Sequence, residues 1–392
     1  MKAAPSRTAV TIVLLWLAGL GAAGQFSKVA VPFVMLQAEY AGAGAVLGWL
    51  LSVVSVIGML FGMVGGILMA RLGLKWPLLL ALVAGAVFSW LQAFLPALPL
   101  MLLLRLLEGV THLAIVIAAP TLIGLIAPVR WRGIAMTLWS TFFGVGFALT
   151  ATFGLPFAEE HGVGALMRAH AVAMVAVAIM LAVALCHWQP VELATGDLRG
   201  RNILDRHLHA FSSPRIAAPA WGWLFYTTTF VACLAILPSI LPEAERASTA
   251  TAMPLLGIVV AMVPVPFLLR SWPATTIAVA GFAAAACVAL IGAAGLPLEL
   301  VCLLLFGVLG LVQGSSFAAI PQLNRSPEDQ ALANGAMAQA GNLGNMLGTP
   351  VLLAILGASD VSGLMLTLAA LYLCGAGIHG LLARKRRHQV AT

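Results

Sequence analysis

Three ionisable side chains stand inside one long apolar stretch. The segment Pro99–Ala127 could cross a bilayer, yet it carries Arg105, Glu108 and His112. On a helix these positions, i, i+3 and i+7, fall within an arc of about 60° on one face. A charge in hydrocarbon costs at least about 2.5 kcal/mol, so that face must look into protein or a water-filled cavity. A carboxylate beside a cation changes its protonation with its surroundings, and imidazole titrates near physiological pH. Such a set can move protons along a pathway. It can also be a salt bridge that only fastens two helices together.

The elements that must hold these groups follow from composition. Of 392 residues, 62% are hydrophobic and 8% charged, against about a quarter charged in soluble domains. Apolar runs, bounded by charge, Pro or Gly, lie at 8–36, 44–70, 77–95, 99–126, 133–156, 164–187, 219–241, 249–269, 274–295, 298–320, 331–357 and 361–383. None alternates with a period of two, which excludes a barrel and leaves helices, since water is absent from the bilayer core to satisfy any other backbone. The expected fold is therefore an all-α membrane protein with twelve transmembrane helices. The first segment resembles a signal peptide, but no soluble domain follows it and an uncleaved helix is the simpler reading.

The net charge of +7 reflects membrane topology rather than nucleic-acid binding, because the basic residues sit singly in short loops and at the C-terminus. With both termini cytoplasmic, all but Lys28, Arg105, Arg168 and Arg246 of the 20 Lys and Arg fall on the inner side, as the positive-inside rule requires. The five cysteines show no CxxC spacing and read as packing residues. No metal site or cofactor is expected. No Walker-type loop is present, so the chain is not expected to hydrolyse ATP, and no nucleophile–base pair marks an enzyme.

The domain organisation expected is 1–187 as a six-helix bundle, 188–218 as a cytoplasmic linker and 219–392 as a second six-helix bundle with a basic tail. A weak internal repeat supports it. Arg71-Leu-Gly-Leu-Lys75-Trp76-Pro77 has a counterpart in Arg270-Ser-Trp272-Pro273, Glu108-Gly109 in Gln313-Gly314, and Gly133-Ile-Ala-Met136 in Gly335-Ala-Met337. Two pseudo-symmetric bundles would enclose a cleft.

At these residues the chain resembles the major facilitator superfamily. Gly66-Ile-Leu-Met-Ala70-Arg71-Leu-Gly73-Leu74-Lys75 matches the family's loop signature at its glycines, Arg71 and Lys75, while Ala70 stands where the family has Asp. Arg105-Leu-Leu-Glu108-Gly109 matches the signature of the fourth helix. The Gly-Pro signature of antiporters in the fifth helix is poorly met by Gly144, Gly146, Gly154 and Pro156. The resemblance implies that Gly66, Arg71, Gly73 and Lys75 gate the conformational change, and that the first, fourth, seventh and tenth helices line a central cavity. It assigns Arg105, Glu108, His112 and Lys28 to proton coupling or solute contact, and Gln25, Tyr226 and Gln313, with Asn342 and Asn345 of the eleventh helix, to the substrate cavity. Lys28 and Arg105 would both lie in the outer half of the bilayer.

The function so implied is secondary active transport of a small organic solute by alternating access in a bacterial cytoplasmic (inner) membrane. Proton-coupled efflux is the first expectation, and proton-coupled uptake of a small organic anion or metal complex the alternative, since two cations around one carboxylate favour an anionic or zwitterionic partner. A receptor or assembly factor on the same scaffold is the reading from another class. Met59 and Met63, and His170 and Met174, have spacings that soft copper ligands use, although 15 Met make chance matches common. The expected partners are the small-molecule substrate, protons and the lipid bilayer, with the chain a monomer.

Overall fold

The computed structural model describes residues 5–42, 44–188 and 200–391; within the expected linker, 189–199 lie outside the described residues. Among the described residues, twelve helices are long and apolar enough to cross a membrane. We label them α1 Arg7–Ala30, α2 Val46–Leu72, α3 Lys75–Gln92, α4 Leu98–Ile126, α5 Val129–His161, α6 Val163–Ala184, α7 Ala217–Ser239, α8 Glu243–Leu268, α9 Ala274–Ala293, α10 Leu298–Leu323, α11 Pro327–Ala358 and α12 Val361–His388. No strand occurs among the described residues, and the chain is a multi-pass, all-α membrane protein.

Two compact units can be distinguished. One comprises Met1–Pro128 and Phe142–Asp197, the other Val129–Thr141 and Leu198–Thr392. In the first, α1 packs on α4 and α6, α3 on α4 and α6, and α2 on α4. In the second, α7 packs most extensively on α11, α9 on α10 and α12, and α8 on α10. The core of the second is rich in rings, including Tyr226, Phe230, Phe282, Phe306 and Tyr372. The repeat is visible in packing: a Cβ on Gly109 of α4 would meet the Val54 carbonyl of α2 at 2.6 Å, and one on Gly314 of α10 would crowd α8 at Val265 and Ala261.

Helix ends follow local chemistry more closely than apolar runs do. The first run was expected to continue to 36, but α1 stops at Ala30 and a separate short helix spans Phe33–Glu39. Pro32 lacks an N–H and its ring collides with the preceding turn, which breaks the helix. Within α5 the ladder opens at Thr150–Gly154, where the N–H of Leu155 reaches the carbonyl of Thr150 five residues back; this wide turn accommodates Pro156, which cannot donate. Helix α11 begins at Pro327, four residues before the expected start, because the Ser326 hydroxyl accepts from the Asp329 N–H and Pro occupies the first turn. His379, on α12 ahead of the basic tail, is enclosed beside Phe282 and Gly222. Residues Gly200–Ser212 form an amphipathic helix with Leu204 and Leu208 exposed one turn apart.

Gly73, between α2 and α3, has φ +77° and ψ 172°, a conformation essentially reserved for glycine. A Cβ there meets nothing within 4 Å, so any cost of adding one is purely backbone strain. Gly73→Ala is expected to lower stability by about 1–3 kcal/mol, measurable as a reduced thermal unfolding midpoint in detergent.

Candidate functional site

The polar residues of the first unit converge on Glu108. Its Oε1 accepts from Lys28 Nζ at 2.5 Å, and its Oε2 from Arg105 Nη1 at 2.6 Å and Gln92 Nε2 at 3.0 Å. Lys28, Arg105 and Glu108 are all essentially inaccessible, at 1%, 0% and 0% exposure, so their attraction is barely screened. Helical spacing prepares the contact. Residues three apart on α4 share a face, which puts Arg105 beside Glu108, while α1 and α3 supply Lys28 and Gln92.

Arg105 is further fixed by backbone. Its Nε donates to the Leu50 carbonyl at 3.0 Å and its Nη1 also donates to the Gln25 carbonyl. Its Nη2 is buried without a hydrogen-bond partner. Gln25 Nε2 donates to Thr111 Oγ1 at 2.8 Å, and Thr111 donates to the carbonyl of Glu108 at 2.8 Å; the Gln25 Oε1 atom has no partner. Lys28 also donates to Ser89 Oγ at 2.7 Å. Ser89 lies 2.9 Å from His170 Nδ1 and 2.9 Å from the Met167 carbonyl, and His170 Nε2 lies 2.9 Å from the Gly21 carbonyl.

The structure thus joins Lys28, Arg105, Glu108 and Gln25, and separates His112 from them. His112 Nδ1 lies 3.2 Å from the Ala22 carbonyl, and its ring meets the edge of Phe26 at 4.9 Å between centroids. Ser89, Gln92 and His170 are members that sequence reasoning did not place here. A signal existed: Ser89 and Gln92 are three apart in an otherwise apolar span. Both ring nitrogens of His170 face protein atoms rather than a Met sulfur, and no group of three His, Cys, Asp or Glu suited to a metal occurs among the described residues.

In the second unit, Tyr226 donates to Gln313 Oε1 at 3.0 Å and Gln313 Nε2 donates to the Ser140 carbonyl at 2.8 Å. Tyr226 lies in a stack between Trp223 and Phe230, with centroids 4.5 and 5.0 Å away. Asn342 and Asn345 do not join this pair. Asn342 Nδ2 bonds the Ala338 carbonyl of its own helix at 2.8 Å, and Asn345 Oδ1 is enclosed without a partner. Of the loop signature, Gly66 is buried, Lys75 lies over the Trp76 ring at 5.3 Å, and Arg71 keeps two enclosed guanidinium nitrogens without partners. Ala70 offers them no carboxylate.

Three comparisons bear on this arrangement. A family model described as Major Facilitator Superfamily matches residues 13–349. Among solved structures, the human organic anion transporter MFSD10 (TETRAN) superposes with TM-score 0.77 at 16% identity, covering 96% of this chain and 100% of that one. The transporter FucP in its outward conformation gives 0.76 at 15% identity, covering 96% and 99%, and the proton:xylose symporter XylE gives 0.72 at 13%, covering 95% and 94%. At such identities the likeness is one of fold. No curated protein matches the chain.

The ion cluster makes an asymmetric demand on stability. Removing Glu108 leaves two buried cations unbalanced, whereas removing Lys28 leaves a neutral Arg105–Glu108 pair. Glu108→Gln is expected to cost about 3–5 kcal/mol and Lys28→Met clearly less, as read from denaturant or thermal unfolding in detergent micelles.

Proposed function

The chain belongs to the Major Facilitator Superfamily, a family of non-enzymatic membrane carriers, and from that premise we propose that it is a proton-coupled secondary transporter of a small organic anion, working by alternating access in a bacterial cytoplasmic membrane. The observation that carries this reading is the charge count of the buried cluster. Lys28, Arg105 and Glu108, all ionised, leave a net positive charge enclosed with a spare donor at Arg105 Nη2.

A buried unbalanced charge is costly. Two events relieve it: an anion binds, or a proton leaves. The two are therefore linked. When the anion is present the proton stays, and when the anion departs the proton is released, which is the logic of symport. An inward proton gradient then drives uptake. A bidentate guanidinium suits a carboxylate or similar planar anion better than an ammonium does, so Arg105 is assigned solute contact and the rest of the cluster coupling. Gln25, Tyr226 and Gln313 are assigned further solute contacts.

Of the two couplings expected from sequence, efflux and anion uptake, the cluster favours the second. The human organic anion transporter among the similar folds is in keeping with that choice. Efflux finds its own support in the aromatic stack around Tyr226, which would suit a flat amphipathic compound.

Proteoliposomes loaded with the pH dye pyranine test the reading, using benzoate, citrate, L-fucose, D-xylose and ethidium as probes. An added organic anion should acidify the lumen, and Arg105→Lys should reduce that flux at least about tenfold. Ethidium-driven proton movement in place of anion-driven movement would favour efflux, and silence with every probe would favour a non-transporting role.

A further inference from the structure

Beyond the cluster itself lies a histidine, His170, that the coupling scheme has not used. We propose that Lys28, not Glu108 or His112, is the proton-carrying residue, and that Ser89 and His170 relay its proton out of the cluster. This rests on the proton-coupled reading above and names the atoms that would serve it.

Glu108 is a poor proton acceptor for a geometric reason. All three groups that touch its oxygens, Lys28 Nζ, Arg105 Nη1 and Gln92 Nε2, are donors. A protonated carboxyl needs an acceptor for its O–H, and Gln92 would offer one only by turning its unpartnered Oε1 into the place of Nε2. Protonating Glu108 would also raise the enclosed charge from one positive unit to two. Losing a proton brings it to zero, and Arg105 cannot be the source, because guanidinium keeps its proton in proteins. Lys28 remains. His112 is no alternative outlet, since its Nδ1 faces the Ala22 carbonyl and no hydrogen bond ties it to Lys28.

The route out is continuous. Lys28 Nζ donates to Ser89 Oγ at 2.7 Å, and Ser89 Oγ lies 2.9 Å from His170 Nδ1. The Gly21 carbonyl, 2.9 Å from His170 Nε2, can only accept, so Nε2 carries hydrogen and Nδ1 of the neutral ring is the free acceptor. A single concerted shift then moves the charge. The Lys28 ammonium gives a proton to Ser89 Oγ, whose own proton passes to His170 Nδ1, leaving a neutral amine and an imidazolium. In the product Ser89 can donate to the Met167 carbonyl, 2.9 Å away, while His170 donates through both nitrogens. Ser89 Oγ and both ring nitrogens of His170 keep hydrogen-bond partners in both states.

Position supports the direction. Lys28 and Ser89 are fully enclosed, whereas His170 is partly exposed, so the chain of bonds runs from the interior toward a surface. The imidazole is seated by Gly24, where a Cβ would lie 2.5 Å from its Cδ2. The charged groups facing His170 are Lys28 of α1 and Arg105 and Glu108 of α4. Helix α3 contributes only Ser89 and Gln92. The last turn of α5, also packed on α6, carries Glu159, Glu160 and His161, all exposed, and Arg168 on α6 itself is exposed.

The sequence contains only four lysines, Lys2, Lys28, Lys75 and Lys385, so nitrogen-15 lysine labelling of the full chain in nanodiscs gives four side-chain signals, with Lys28 identified by its loss in Lys28→Met. Exchange of the Lys28 Nζ protons with water should slow at least about tenfold in Ser89→Ala and in His170→Asn, and Ser89→Thr, which keeps the hydroxyl, should restore it. Unchanged exchange in both variants overturns the relay, as does a carbon-13 signal showing Glu108 taking up the proton while Lys28 remains an ammonium. If one variant does not fold, the other decides. Pyranine-loaded vesicles separate the two readings: wild-type vesicles silent to every probe sink proton coupling while the exchange rates still judge the relay, and full coupling in Lys28→Met sinks Lys28 as carrier while leaving coupling intact.

Discussion

The first unit depends on one carboxylate. Glu108 holds Lys28 of α1, Arg105 of α4 and Gln92 of α3 at 2.5, 2.6 and 3.0 Å, so three helices meet at two oxygens. In a hydrocarbon environment this is a condition for the fold as well as a fastening. Helices in a membrane gain nothing from hiding apolar surface from lipid that is equally apolar, and polar contacts and close packing must specify which helix meets which. Without Glu108, the two cations that remain would each need another partner, and the described surroundings of Arg105 are carbonyls already in use.

That constraint also explains why the site is so enclosed. Charges that cannot be solvated must be surrounded by their own partners, and here even the backbone participates through the Leu50 and Gln25 carbonyls. Three atoms escape this satisfaction, Arg105 Nη2, Gln25 Oε1 and Gln92 Oε1. A donor and two acceptors left over near a net positive charge are groups that a polar partner could use. The enclosure means that nothing from outside reaches these atoms unless the surrounding helices move apart.

Much of this was legible in the residues. Twelve apolar runs correspond to the twelve spans, and the i, i+3 spacing of Arg105 and Glu108 places them in one ion pair. Spacing along one helix, however, says nothing of what the neighbouring helices present. His112 shares the face of Glu108, yet one turn further along α4 it meets the Ala22 carbonyl and Phe26 rather than a charge. His170 had only its spacing to Met174 to recommend it, and its partner Ser89 is 81 residues away. Helix ends were blurred for a different reason. Hydropathy does not register that Pro32 breaks α1 or that Ser326 and Pro327 start α11, although both are written in the sequence as backbone chemistry.

The repeat gives the asymmetry its meaning. Gln313 occupies in α10 the place of Glu108 in α4, and it too is fully used, accepting from Tyr226 and donating to the Ser140 carbonyl. An amide can do both at once, whereas a carboxylate only accepts. Replacing one by the other therefore exchanges a site that must gather cations for one that closes on neutral partners. Gly310 stands where α4 has Arg105, and its missing side chain lets α10 approach the Gly257 carbonyl of α8. The second unit has filled with backbone contact the space that the first fills with a guanidinium. The buried ion cluster thus belongs to the first unit, and the partners of Gln313 in the second are a phenol and a backbone carbonyl, both neutral.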